Sequence, residues 1–267
     1  MIGIGVVRAQ SATIAGNMIR AIAVETVQTT MAAAILAVAV QRVRVSGNEV
    51  SGMAPPGDFV GVMAGIMLRP PYGEFEISHN RVQRDDTPST QSSNGSWFAV
   101  LIGEVNVEGA PTRVANFVTV RVDNLRSLVL GAGRPFVAAV TEAAAATLST
   151  TDAAVNTAAA AAVSAARGSV IGNVLAARGA SSAVQVIAAG DCLVNDNRVE
   201  ARGARVAAVV LATPVAIVNA NRVRGGEPSM QIAATIKSAA VLGNITTGTI
   251  AVAGGLQPPW DGLNLRA

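Results

Sequence analysis

Side chains able to carry out acid–base or nucleophilic chemistry are scarce in this sequence. Its 267 residues include one histidine, His79, and one cysteine, Cys192. A Ser-His-Asp arrangement can therefore exist at one place at most, and no spacing of cysteine and histidine suits a zinc site. His79 precedes an asparagine where similar segments have Gly or Ala, which favours a bend residue over a catalytic base. We predict no catalytic residue, no cofactor and no metal site.

Two carboxylates and the cysteine have simpler interpretations than chemistry. Asp85 and Asp86 could bind a cation or act as a carboxylate pair. They lie in a polar segment rich in Ser and Thr, however, which favours a solvated loop. Cys192 takes a position, five before an asparagine, that holds Val43 or Phe75 in similar segments. We therefore expect a buried small side chain there and not a nucleophile.

Three arginines could form a binding surface. Arg81, Arg198 and Arg222 each follow an asparagine that recurs along the chain. If the recurring segments stack, Arg198 and Arg222 lie on one outer face in adjacent coils, where they could meet an anionic polymer. Solvated arginines that discourage pairing between strand edges are the simpler alternative. Both interpretations stay open.

The composition indicates a large but narrow core. Apolar residues make up 51% of the chain, charged residues 14% and aromatic residues 3%. Small and β-branched side chains must therefore fill the interior, and few aromatic platforms are left for sugars or bases. The formal charge is +3 and no run of five basic residues occurs, so we predict no nucleic-acid partner.

Targeting and membrane signals do not stand out in the sequence. Residues 1–8 lack the basic start and the long apolar core of a signal peptide. The Ala-rich stretch 135–166 is the longest candidate for a membrane span, but alanine is a weak membrane former, so no span is predicted. The compartment stays open, with a surface or extracellular assembly as one option.

A recurring asparagine identifies the elements that must position these side chains. Asn173, Asn197, Asn221 and Asn244 are 24, 24 and 23 residues apart. Each has an aliphatic residue three positions earlier, and each except Asn244, which has Thr246, has another two positions later. The pattern also occurs upstream at looser spacing. We call the position of the recurring asparagine the slot. Eight slots are assigned in all: Asn17, Asn48, Asn80, Asp123, Asn173, Asn197, Asn221 and Asn244.

This pattern predicts short parallel strands wound into coils of about 24 residues. Strand residues alternate between faces, so the aliphatic residues around each slot can point inward. Asparagine tolerates the left-handed backbone of a sharp bend. Stacked coils would place the amides about 4.8 Å apart, where they can hydrogen-bond in a ladder. The expected fold class is all-β, a right-handed parallel β-helix that forms a single domain over residues 1–267.

The motif aliphatic-x-x-Asn-x-aliphatic and its ladder resemble the pectate-lyase-like superfamily of right-handed parallel β-helices. The resemblance covers most of the chain. It implies the fold and the ladder, and it implies no particular activity. Enzymes of that superfamily place Asp, Lys, Arg or His side chains on one outer strand face, and this chain offers few of them.

Three segments depart from the regular coil. Residues 83–96 are predicted to form an inserted loop. The stretch 135–166 is helical by propensity, but the spacing from Asp123 to Asn173 favours a degenerate coil with Thr151 in its slot. Residues 256–267 are expected to cap the last coil, because their prolines prevent strand pairing and Trp260 can cover the core.

The leading functional hypothesis is a non-catalytic structural or binding module within a larger assembly or on a surface. The scaffold offers little convergent polar chemistry. We expect other protein chains, as a homo-oligomer or a larger assembly, to cover either the open first coil or a lateral Ala-rich face. The alternative is a carbohydrate-active enzyme, a polysaccharide lyase or glycoside hydrolase, with a polysaccharide as its partner. A groove beside a charged cluster would favour that alternative.

Overall fold

Parallel strands make up nearly all of the chain that the computed structural model describes, which is residues 2–20, 31–52, 62–69, 72–83, 96–103, 167–178, 183–187, 191–202, 207–213, 215–232, 238–252 and 263–267. Within these ranges there are twenty-one strands and no α-helix, which confirms the all-β prediction. In chain order the strands are β1 (Ile2–Ala15), β2 (Met18–Arg20), β3 (Met31–Ser46), β4 (Glu49–Ser51), β5 (Val62–Arg69), β6 (Glu74–Ser78), β7 (Arg81–Gln83), β8 (Ser96–Ile102), β9 (Arg167–Ile171), β10 (Val174–Arg178), β11 (Val184–Ile187), β12 (Asp191–Asn195), β13 (Arg198–Arg202), β14 (Val209–Ala212), β15 (Val215–Asn219), β16 (Arg222–Arg224), β17 (Met230–Ile232), β18 (Ser238–Leu242), β19 (Ile245–Thr246), β20 (Ile250–Val252) and β21 (Leu265–Arg266).

The strands stack in three series that repeat along the chain. The pre-slot stack contains the strands that end just before a slot asparagine, and its order is β1, β3, β6, β9, β12, β15 and β18. The post-slot stack contains the strands that begin just after one, in the order β2, β4, β7, β10, β13, β16, β19 and β21. The third stack runs from the first halves of β1 and β3 through β5, β8, β11, β14, β17 and β20.

Long strands join two of these stacks into one curled sheet. Because β1 and β3 run through both the third and the pre-slot stack, these two stacks form a single 13-stranded sheet, and the post-slot stack is an 8-stranded sheet. Every strand pair in the described ranges is parallel. Long parallel sheets in a curled arrangement are consistent with a β-helix or solenoid.

Alternation along each short strand builds the core between the stacks. In β13 the buried Val199 and Ala201 alternate with the exposed Arg198 and Arg202. Burial of a valine side chain such as that of Val199 contributes about 1.5–3 kcal/mol, and the single methyl group of Ala201 contributes less. The residues three before and two after the slot asparagines are buried throughout: Ile14, Val45, Ile77, Val170, Val194, Val218 and Val241 before, and Ile19, Val50, Val82, Leu175, Val199, Val223 and Thr246 after.

One part of the third stack is apolar on both faces. β3, β5 and β8 have nearly continuous apolar sequences, which is typical of parallel strands covered on both sides. Beside the main core, their outward residues form a second buried cluster. Further along the stack the residue in register with Leu101 of β8 is Gln185 in β11, and Val210 in β14 and Gln231 in β17 follow. The second cluster consists of Ala33, Leu36, Ala64, Met67, Phe98 and Leu101.

A glycine makes room for an aromatic side chain in the pre-slot core. Phe75 of β6 is in register with Gly168 of β9, and a Cβ on Gly168 would collide with the Phe75 ring. The ring also meets Tyr72 edge to face, with ring centroids 5.6 Å apart. Cys192 follows Gly168 in the same column. Large and small side chains are therefore matched between neighbouring strands, as close packing requires.

Strands on either side of a long segment of the chain pair directly with each other. β6 pairs with β9, β7 with β10 and β8 with β11. Asn80 bonds Asn173, 93 residues further on, as the next described asparagine of the ladder. The predicted slots Asp123 and Thr151 fall in the interval between them. Residues 104–166, which include both positions and the Ala-rich stretch, lie outside the described residues.

The bend before each slot depends on a left-handed backbone. The residue before the asparagine adopts it, and not the asparagine itself, which corrects the sequence expectation. Glycine takes up this conformation freely, whereas other residues do so at a cost of about 1–2 kcal/mol. The φ angles are 68° at Gly16, 63° at Gly47, 55° at His79, 64° at Gly172, 53° at Asp196, 54° at Ala220 and 63° at Gly243.

Ala220→Gly is expected to stabilise the fold. The substitution removes the left-handed strain of a Cβ at φ 54°, and the extra freedom of glycine in the unfolded chain offsets part of the gain. We expect the free energy of unfolding to rise by about 0.5–1 kcal/mol, measured by urea denaturation.

Two variants control for this result. Gly47→Ala should lower the free energy of unfolding by about 1 kcal/mol, because its Cβ would meet nothing within 4 Å and only the backbone strain changes. Ala240→Gly, in the ordinary strand backbone of β18, should destabilise by about 0.5–1 kcal/mol. Loss of stability in both Ala220→Gly and Ala240→Gly would contradict the backbone explanation.

Candidate functional site

The slot asparagines form a continuous ladder of amide hydrogen bonds. The Nδ2 of each donates to the Oδ1 of the next at 2.9–3.0 Å. The backbone N–H of the same residue donates to the same oxygen at 2.9–3.0 Å. Two hydrogen bonds thus link each asparagine to the next one, and all the side-chain amides point in the same direction along the stack. The order is Asn17, Asn48, Asn80, Asn173, Asn197, Asn221, Asn244 and Asn264.

The remaining amide hydrogen ties the ladder to the backbone. It is donated to the carbonyl oxygen of the residue three before the preceding slot, at 2.8–3.1 Å. Asn197, for example, donates to Val170 O and to Asn221 Oδ1, and it accepts from the side chain and backbone of Asn173. The six rungs from Asn48 to Asn244 are at most 3% exposed. Their amides are therefore buried and fully paired, as buried polar groups require.

The ladder has one rung that the sequence analysis missed. Asn264 accepts both bonds from Asn244, and β21 pairs with β19. Residues 263–267, the end of the predicted cap 256–267, therefore continue the post-slot stack. Residues 256–262 lie outside the described ranges. The motif fails at this rung because Asp261 stands three before the slot and Arg266 two after it. The sequence signal that could have identified Asn264 is its spacing, because it follows Asn244 by 20 residues.

The two candidate reactive residues take structural positions. His79 forms one of the left-handed bends, and its ring lies over Gly172 of the next rung, with ring atoms 3.1–3.2 Å from the position of a Cβ on that glycine. Cys192 points into the core and is 2% exposed. Burial raises the pKa of its thiol to about 12. The thiol is therefore protonated at neutral pH, and the thiolate needed for nucleophilic attack is scarce.

The candidate arginines lie on the outer face of the post-slot stack. Arg198 and Arg222 are in register on the adjacent strands β13 and β16, and both are exposed. Arg81 is exposed in the same column, but Val174 separates it from Arg198. The structure therefore brings two of the three arginines together. Asp85, Asp86 and Trp260 lie outside the described residues.

A groove of about 410 Å³ crosses the outer face of β1, β3, β6 and β9. Its acidic groups are Glu74 and Glu76, which stand on one outer face of β6. Arg42 lies 3.6 Å from Glu74, and Arg44 lies 3.3 Å from Glu76. Both arginines are the in-register partners of these carboxylates on β3. Opposite charges across neighbouring strands stabilise a sheet by about 0.2–1 kcal/mol a pair.

Neither a metal site nor a membrane-spanning helix occurs in the described ranges. No group of three or more His, Cys, Asp or Glu side chains there is placed to hold a metal ion. No helix long and apolar enough to cross a bilayer is found in the same ranges. Comparison of the chain with protein-family models, with curated proteins and with solved structures finds no match.

Asn197→Leu is expected to lower the free energy of unfolding by about 1–3 kcal/mol. The leucine would leave the side-chain amide and the backbone N–H of Asn173 without their acceptor. It would also remove one of the two donors to the Oδ1 of Asn221, because the backbone N–H of residue 197 stays. Equilibrium denaturation in urea measures the change.

Asn195→Leu is the matched control for this variant. Asn195 is half-buried on β12, and its side chain makes no hydrogen bond within the described ranges. Its substitution should change stability by less than about 0.5 kcal/mol. An equal loss at both positions, or a loss of only a few tenths of a kcal/mol at Asn197, would count against the ladder as a stabilising element.

Proposed function

We propose that this chain is a right-handed parallel β-helix of the pectate-lyase-like superfamily, in a single domain with coils of about 24 residues, and that it acts as a non-catalytic structural or binding module. The observation that carries the proposal is the continuous asparagine ladder, in which four successive asparagines are 24, 24 and 23 residues apart. An internally satisfied ladder makes a rigid rod whose outer faces are free to vary.

The reactive groups that the structure describes support a non-catalytic role. The Cys192 thiol is buried. Glu74 and Glu76 each face an arginine on the neighbouring strand. His79 has its backbone committed to a bend and its ring placed over Gly172. Each group is thus accounted for by a structural contact.

Other protein chains are the proposed partners, in a homo-oligomer or a larger assembly. β1 is a strand of 14 residues that pairs with β3, and no strand in the described ranges pairs with its other edge. Its Ile4 and Val6 point toward the core but stay half-buried, and Ile2 and Val7 are exposed. A long edge strand with apolar side chains is a template for association unless another chain covers it.

Light scattering on the purified chain tests this assembly. We expect a mass above that of the monomer at tens of micromolar protein. Val7→Lys, which places a charge on a residue of β1 that is 57% exposed, should lower the mass toward the monomer.

Ile217→Lys is the control variant, because it places the same charge on a lateral face of the stack instead of on β1. Ile217 is 42% exposed on β15, far along the pre-slot stack from β1. We expect this variant to keep the mass of the original protein. A monomer before any substitution would overturn the assembly, and loss of mass in Ile217→Lys alone would move the interface to the lateral face.

The second candidate function is a polysaccharide lyase or glycoside hydrolase. The groove over β3, β6 and β9 favours it, because Glu74 and Glu76 lie on one face beside arginines, and paired carboxylates carry out glycoside hydrolysis.

A screen against anionic and neutral polysaccharides tests the enzyme alternative. Under the non-catalytic proposal we expect no chain cleavage between about pH 4 and 9, a range that spans the titration of carboxyl and imidazole groups. Cleavage that is lost in Glu74→Gln or Glu76→Gln, with folding retained, would establish the enzyme in place of the non-catalytic module. Cleavage that persists in both variants would indicate a contaminating activity.

A further inference from the structure

Two neighbouring arginines lack the acidic partners that other arginines have. Arg198 and Arg222 face each other in register on β13 and β16, both exposed. Within the described part of the chain neither has an ion pair or a hydrogen bond of its side chain. Elsewhere the same sheets pair arginine with glutamate: Arg20 with Glu49, Arg42 with Glu74, Arg44 with Glu76, Arg202 with Glu200 and Arg266 with Glu227.

The charge of this surface stays uncompensated even when its neighbours are included. Arg224, next in the same strand, is in register with Glu200. The Glu200 carboxylate, however, is held by Arg202 at 2.7 Å. Asp196 is exposed at the bend before Arg198, and no ion pair links the two. Like charges directly opposite each other destabilise a sheet. The fold alone therefore gives no reason for Arg198, Arg222 and Arg224, here called the arginine patch.

The border of the arginine patch indicates the class of partner. Val174 stands beside Arg198 on one side, and Ile245 stands beside Arg222 on the other. Leu265 follows Ile245 and is 62% exposed, and Val174 is 47% exposed. Arginine is enriched in protein–protein interfaces, and the buried centre of such an interface is apolar. No aromatic side chain lies in the described post-slot strands to stack on a sugar or a base.

We propose that the arginine patch is the docking surface for an acidic segment of a partner protein. Arg198 and Arg222 would each take a carboxylate, in the bidentate geometry that guanidinium groups favour. Adjacent parallel strands are about 4.8 Å apart, so the two carboxylates must lie at a comparable separation. The aliphatic border would exclude water from the rim. This inference rests on the proposed binding role and names the partner of that role.

Binding of poly-L-glutamate at low ionic strength tests the proposal. We expect the purified protein to bind the polymer, and Arg198→Gln/Arg222→Gln to bind it about tenfold more weakly, since two charge-assisted contacts are lost. The matched control is Arg20→Gln/Arg266→Gln. It removes the same charge from exposed arginines that already have glutamate partners. Its affinity should change by less than about twofold.

Arg222→Glu separates binding from folding. It would place a glutamate in register with Arg198, the arrangement that Arg42 and Glu74 have on β3 and β6. We expect this variant to unfold at a higher urea concentration than the original protein and to lose poly-L-glutamate binding. Loss of both stability and binding would show that Arg222 serves the fold, and would overturn the proposal.

The remaining outcomes also decide the question. Absence of poly-L-glutamate binding, or equal loss in the patch variant and its matched control, would overturn the arginine patch as a docking surface. Patch-dependent binding of polygalacturonate or duplex DNA in place of poly-L-glutamate would overturn the protein partner. The light-scattering result does not depend on the arginine patch, so failure of this inference and failure of the proposed assembly are distinguishable.

Discussion

The row of buried asparagine amides is the interaction on which the rest of the structure depends. A buried amide without partners costs about 1–3 kcal/mol, and these amides find partners only when neighbouring strands are aligned to the residue. A shift of one position in any strand would move the inward aliphatic residues to the outer face. It would also leave two rungs unpaired. The ladder therefore sets the register for the pre-slot and post-slot stacks together, and the aliphatic core follows from that register.

The parts of the fold that the sequence predicted are those encoded by local patterns. The residues three before and two after most slots are aliphatic because they enter the core, and this regularity is visible without coordinates. The pairing of Asn80 with Asn173 was not visible, because the two asparagines are 93 residues apart and the regular spacing of about 24 residues does not connect them. Asn264 was not recognised as part of the ladder because it lacks the flanking aliphatic residues. The left-handed backbone conformation was assigned to the asparagine, whereas the residue before it adopts this conformation. The sequence could not decide between the two, because both positions accept residues that are common in bends.

The outer faces were the least predictable part of the molecule. An inward side chain must fit the core, whereas an outward side chain is constrained mainly by its neighbours on adjacent strands. Those neighbours come from positions 20 or more residues away. The sequence could place Arg198 and Arg222 in one column, but it could not show that the glutamate near them, Glu200, is held by Arg202. The difference between a neutralised and an uncompensated arginine therefore becomes visible only when the strands are paired.

The common direction of the ladder amides has a consequence for how order spreads through the stack. Each Oδ1 faces the preceding rung and each Nδ2 faces the next one. A single amide rotated by 180° would set oxygen against oxygen on one side and nitrogen against nitrogen on the other, so it would break both of its rungs. The orientation of one amide is thus copied by its neighbours, in the manner of aligned dipoles in a one-dimensional chain. The molecule consequently has an axial polarity that is independent of its net charge, and its two axial directions present different hydrogen-bonding groups.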